Sequence, residues 1–135
     1  MTQKTMAEVA EAACNGEQLL RMRETANQIP VAKDVMRYAM TLTSATHPNS
    51  ENASEAAKHY VRVGASPRAG QALISAAKVV ALIKGRFNVA YSDIEELVFR
   101  HRLKLNFEAI AERVSADEIV DMIVAEVKKN FKASK

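Results

Sequence analysis

The segment between Ser66-Pro67 and Gly85 constrains this chain more than any other, because it carries its own start and stop signals. A serine just ahead of a helix can accept from the free amides of the first turn. Proline fits the first helical position, where no donor is needed. Gly85 stands where a left-handed residue would end the helix. Between these marks Ala69, Leu73, Ala76, Ala77 and Val80 recur at helical spacing and form one apolar face. The sequence therefore predicts one long helix from Pro67 to about Ile83.

The same grammar repeats along the chain. Met6, Val9, Ala10 and Ala13 predict a first helix over 4–13. Asn15 and Gln18 read as a capping box ahead of a stripe that begins at Leu19-Leu20 and runs to Ala26, stopped by Ile29-Pro30. A further helix carries Val35, Met36, Ala39, Met40 and Leu42, and ends before His47-Pro48-Asn49-Ser50. Residues 54–62 hold one or two helical turns. Ser92-Asp93-Ile94-Glu95 reads as a capping box for a helix burying Ile94, Leu97 and Val98. Ser115 and Glu118 form another, with Val114 stapled to Ile119. The last helix presents Ile119, Met122, Ile123 and Val127, then frays into the lysine-rich end. Only Arg86-Phe87-Asn88-Val89-Ala90 alternates like a strand, and it is too brief to build a sheet. The expectation is an all-α fold, a small bundle of about five helices with no substantial sheet. A single helical domain spans 1–135, with 1–14 as an N-terminal extension or first helix and 128–135 as a frayed basic tail.

Composition narrows what fills such a bundle. Aromatic residues make up only 5% of the 135 residues and tryptophan is missing, so Ala, Val, Leu, Ile and Met must form the core. The six methionines are expected on buried stripes, and Cys14 as a small apolar filler. A single cysteine allows no internal disulfide. No apolar run is long enough to cross a membrane, and no signal-peptide core follows Met1-Thr2-Gln3-Lys4. These features suit the cytoplasm.

Catalytic chemistry is not legible in the chain. No glycine-rich loop ends in Lys-Ser/Thr, and no acidic pair follows an apolar strand to hold magnesium. His47, His59 and His101 lack metal-ligand spacing, so no metal site is expected and His47 reads as a turn residue. The chain on its own is therefore not expected to be an enzyme, and no residue in it is expected to be catalytic. Net charge is +3, but eight Lys or Arg face three acidic residues between Arg62 and Lys104. A solvated helical face is the ordinary reading of that stretch; phosphate, nucleic acid or an acidic partner would also suit it. Arg68 is sharper. It falls in the first turn of the Pro67 helix, where the dipole favours Asp or Glu and disfavours a cation. Guanidinium plus helix N-terminus is an anion site, and phosphate is the usual anion. The ordinary alternative is an exposed arginine without a partner.

The string Gly64-Ala65-Ser66-Pro67-Arg68-Ala69, followed by Gln71-Ala72-Leu73 and by Gly85-Arg86, resembles the C-terminal lid of MoxR-type AAA+ ATPases from about Asn15 to Val127. The resemblance implies that Arg68 is the sensor 2 residue that contacts the ATP phosphates, with Gly64, Ser66 and Pro67 supporting it. It also implies ATP and magnesium bound on a separate α/β ATPase domain and none bound by this chain alone. A hexameric ring, chaperone-like remodelling of client proteins and a von Willebrand-type partner follow from the same likeness. Arg100-His101-Arg102 is similar to a string in such lids. Only Val98-Phe99 separates it from Leu97, however, where those lids are longer and usually carry a proline. No ligand role is therefore carried over to Arg100 or Arg102. The competing class is a small basic helical nucleic-acid-binding module. Its recognition helix would present only Gln71, Ser75, Lys78 and Lys84, which is sparse for reading a groove.

Overall fold

A computed structural model describes residues 12–97 and 103–133. Its elements are α1 (Gly16–Asn27), α2 (Lys33–Ala45), α3 (Glu55–Tyr60), β1 (Val61–Val63), α4 (Pro67–Ile83), α5 (Tyr91–Glu96), β2 (Lys104–Leu105), α6 (Phe107–Ala111) and α7 (Ala116–Ala133). The fold is all-α, as the periodicity predicts. Short α3 and α6 bring the described helices to seven. The expected helix over 4–13 lies outside the described residues up to position 11, and residues 12–13 are not helical.

α4 keeps its predicted bounds, Pro67 to Ile83. Its buried face is Ala69, Leu73, Ala77 and Ala81, spaced by four, with Gly70 beside it. These small residues let α4 lie close on α2, whose Val35, Tyr38, Ala39 and Leu42 face inward. Ile119, Val120, Ile123 and Val127 of α7 complete the core. The Asn15–Gln18 capping box forms in both directions, at 2.8 and 2.9 Å. Ser115 and Glu118 do the same ahead of α7.

Several expectations fail for tertiary reasons. Met22, Met36, Met40 and Met122, the four described methionines, are each at least 45% exposed, so Ala and branched side chains fill the core instead. Leu19 and Leu20 are exposed, Ala26 is the buried residue of α1, and Cys14 is exposed. The Arg86–Ala90 piece, expected to be too brief for a sheet, is indeed irregular. The two strands among the described residues are β1 and β2, about 40 residues apart in sequence, paired antiparallel with Val61 opposite Leu105. The basic end is not frayed over 128–133: α7 continues to Ala133. Phe131 packs edge-on to Tyr38 with ring centroids 5.1 Å apart, and Lys128 pairs with Glu95 at 2.9 Å. Glu95 also accepts from the Tyr38 hydroxyl, which burial and this carboxylate push to a higher pKa. That junction ties α2, α5 and α7 together.

Candidate functional site

The chain leaves β1 and meets the C-terminal end of α2 before α4 begins. The meeting is tight. A Cβ added at Gly64 would stand 2.6 Å from the Thr46 carbonyl oxygen and 2.8 Å from Thr46 Oγ1, so only glycine fits. Ala65, 1% exposed, has both its backbone groups taken by consecutive residues of the facing segment. Its N–H donates to Thr46 Oγ1 at 2.9 Å, and its carbonyl accepts from His47 Nε2 at 2.6 Å. A carbonyl only accepts, so Nε2 carries the hydrogen. The Thr46 hydroxyl passes its own hydrogen to the Thr43 carbonyl at 2.7 Å. One turn into α4, Gly70 meets Thr43 Oγ1, where a Cβ would come within 2.8 Å.

Ser66 occupies the N-cap position with extended backbone (φ −64°, ψ 160°), but its side chain makes no capping hydrogen bond. The predicted serine cap is thus not formed. The start is fixed by Pro67 at the first turn and by backbone bonds from Ala69 and Gly70 to the Ser66 carbonyl, at 2.8 and 3.4 Å. The first turn holds no acidic residue. Arg68 projects from it, exposed, with no ion-pair or hydrogen-bond partner among the described residues. The positive end of a 17-residue helix and a free guanidinium therefore share one patch of surface.

The far end of α4 is built the opposite way. Gly85 is left-handed at φ 69°, with its amide bonded to Leu82 and the Arg86 amide to Ala81, both at 2.9 Å. The Arg86 guanidinium grips both oxygens of the fully buried Asp93 carboxylate. Lys84 reaches Asp93 at 3.6 Å and pairs with Glu96. Asp93 also accepts from the Ala90 amide at 2.9 Å, so α5 starts at Tyr91 with Asp93 in its first turn, two residues before the start expected from Ser92. The Arg86 hydrogen bonds hold the Asp93 carboxyl below the usual carboxylate range.

These pairings empty much of the basic stretch. Of its six described cations, Lys84 and Arg86 are ion-paired and Lys78 donates to the Asn27 carbonyl at 2.9 Å. Arg100, His101 and Arg102 lie outside the described residues. Two open clefts stand elsewhere: one of about 460 Å³ between α2 and α7, and one of about 330 Å³ floored by Tyr38, Tyr91 and Phe131. Among the described residues no group of three His, Cys, Asp or Glu could hold a metal ion, and no helix is long and apolar enough to cross a membrane. Sequence reasoning singled out Gly64, Ser66, Pro67 and Arg68 but not the Thr43-Thr46-His47 grip. The polar pair at the end of α2 was a visible signal. Its partner, 18 or 19 residues away, was not.

The chain belongs to the AAA lid domain family, whose model matches residues 53–123. Within that class it is a MoxR-type lid. It is 33% identical over 112 residues to Chaperone MoxR1 of Mycobacterium tuberculosis (strain ATCC 25618 / H37Rv), a match covering 81% of this chain and 30% of that one. A solved structure from Cytophaga hutchinsonii ATCC 33406, of a protein regarded as an ATPase, superposes with a TM-score of 0.74 at 32% identity. That match covers 81% of this chain and 34% of the other. The chain thus spans about a third of the length of these relatives.

Proposed function

We propose that this chain is a nucleotide-responsive lid in which Arg68 senses the phosphates of ATP held on an α/β ATPase domain. The observation that carries the reading is the state of Arg68. It is exposed and, among the described residues, unpaired, at an uncapped helix start without acidic residues, on a backbone fixed by Thr46 and His47. A helix start kept for stability alone would take an acidic residue or a serine cap. A guanidinium there suits the equatorial oxygens of a transferring phosphoryl group, whose charge it would stabilise as it develops.

In this reading the chain supplies no catalytic residue for water activation or magnesium binding; those belong to the ATPase domain. Closure of the lid brings Arg68 to the phosphates, and loss of the terminal phosphate releases it, so nucleotide state becomes lid position. MoxR1 is named a chaperone. By analogy, the assembled machine would be a cytoplasmic hexameric ring that remodels client proteins, with a von Willebrand-type protein as one partner. The nucleic-acid reading loses ground because half of the described basic stretch is engaged inside the domain.

The test is steady-state ATP hydrolysis by the complete ATPase that carries this lid. Arg68→Ala lowers kcat by about 10²-fold. Arg68→Lys recovers only part of it, since a lysine lacks the two-pronged donor. Unchanged kcat and KM in Arg68→Ala would overturn the assignment.

A further inference from the structure

We infer that Thr46 and His47 are positioning residues for Arg68, holding Ala65 by both its backbone groups so that the first turn of α4 presents the guanidinium in one fixed direction. The inference rests on the reading of Arg68 as the phosphate contact.

The two bonds fall on one residue from two consecutive neighbours. Thr46 Oγ1 takes the Ala65 amide at 2.9 Å and His47 Nε2 gives to the Ala65 carbonyl at 2.6 Å. Thr46 is 1% exposed, and its hydroxyl accepts from Ala65 while donating to Thr43. It therefore has one orientation. Gly64 presses its Cα face on the Thr46 carbonyl, which leaves no space for the loop to slide. Gly70 fixes α4 against Thr43 one turn further on. Arg68 lies between these two close approaches, one residue after a proline whose ring sets its own φ. The backbone on either side of Arg68, at Gly64, Ala65 and Gly70, is thus registered against the end of α2, while its side chain is exposed and has no ion-pair or hydrogen-bond partner among the described residues. This is the arrangement expected where direction matters. A displacement of about 1 Å at a charge-stabilising group can cost up to about 10²-fold in rate.

The experiment uses the complete ATPase carrying this lid, with hydrolysis read alone and on the Arg68→Ala background. Thr46→Val keeps the shape and removes the hydroxyl; Thr46→Ser restores it. Thr46→Val is expected to lower kcat about tenfold, with KM for ATP within twofold of the parent, and Thr46→Ser to return it to within twofold. On the Arg68→Ala background Thr46→Val should cause no further loss, because the group it aims is gone. His47 is only partly buried, so a second pair does not depend on the valine variant folding. His47→Phe removes the donor and lowers kcat severalfold, and His47→Gln, which can donate from a similar position, recovers it.

Three results would overturn the inference. If Arg68→Ala abolishes hydrolysis while Thr46→Val and His47→Phe stay within twofold of the parent, Arg68 senses phosphate without needing the grip. If Thr46→Val costs as much on the Arg68→Ala background as alone, the grip serves the fold and not the arginine. If Arg68→Ala itself changes nothing, the phosphate reading falls and the positioning role with it.

Discussion

The two ends of α4 solve opposite problems. At the C-terminal end every charged group has a partner: Arg86 on Asp93, Lys84 on Glu96, and the last carbonyls on the Gly85 and Arg86 amides. At the N-terminal end the backbone is as firmly held, but the chemistry is left open. The serine does not cap, no carboxylate stands in the first turn, and Arg68 has no partner among the described residues. A helix built for stability alone would complement its dipole at both ends. Here only one end is finished for the fold. The other is held in position with its cation unpaired among the described residues, which is what the proposed phosphate contact requires.

The largest effects should come from the close approach behind Arg68. Gly64→Ala places a methyl 2.6 Å from a backbone carbonyl that cannot move aside, and should cost about 3 kcal/mol in denaturant unfolding. A loss under about 1 kcal/mol would mean that the corner is soft and the two ends are less different than they look. At the other end, Asp93→Asn should cost about 2 kcal/mol by weakening charge-assisted hydrogen bonds to a buried group. It should also change the acid limb of stability. The folded carboxyl is held low, so its contribution is complete above the ordinary carboxylate range and is lost as pH falls below about 4. The parent should lose stability there more steeply than the variant, as read from thermal midpoints between pH 3 and 7 (roughly the span of carboxylate titration).

Gly85→Ala should cost about 1 kcal/mol. The position is left-handed but open, so the penalty is conformational and not steric. Finding it as costly as Gly64→Ala would erase the distinction between a backbone kept for its turn and one kept for a close approach. Ser66→Ala should be the smallest change, within about 0.5 kcal/mol, because no capping bond is lost. A loss of about 1 kcal/mol or more in urea would show that Ser66 caps α4 and that both ends of the helix are finished for stability.

Much of this contrast was legible in the sequence where the determining contacts are local. Pro67, Ile83 and Gly85 bound α4 as their positions predict, and two reciprocal capping boxes form where the residues allow them. Failures cluster where a distant partner decides. Met36, Met40 and Met122 sit at helical spacing beside the true core positions. Periodicity cannot tell which edge of a wide apolar stripe another helix will cover. Ser92 and Glu95 looked like a capping box, yet Asp93 took the first turn of α5 because Arg86 reaches it from across the turn after α4. Glu95 serves Tyr38 and Lys128 instead. The ribbon of β1 and β2 joins segments about 40 residues apart, neither with enough alternation to announce a strand. At the site, the dipole mismatch marked Arg68 as a candidate anion contact beside the ordinary reading of an exposed arginine, and the resemblance to MoxR-type lids added the sensor assignment. The grip of Thr46 and His47 on Ala65 was not legible, since nothing local says which backbone a helix-ending threonine will meet.

The central claim is that Arg68 is kept against the interest of the fold. The most direct measurement is the unfolding free energy of this chain with Arg68→Glu, set beside the parent at low ionic strength. A carboxylate in the first turn complements the helix dipole and relieves the unpaired cation, so the variant should be more stable by about 0.3–1 kcal/mol. In the complete ATPase the same substitution should abolish hydrolysis. A variant destabilised by 1 kcal/mol or more would contradict the account, because Arg68 would then be holding the domain together rather than waiting for a phosphate.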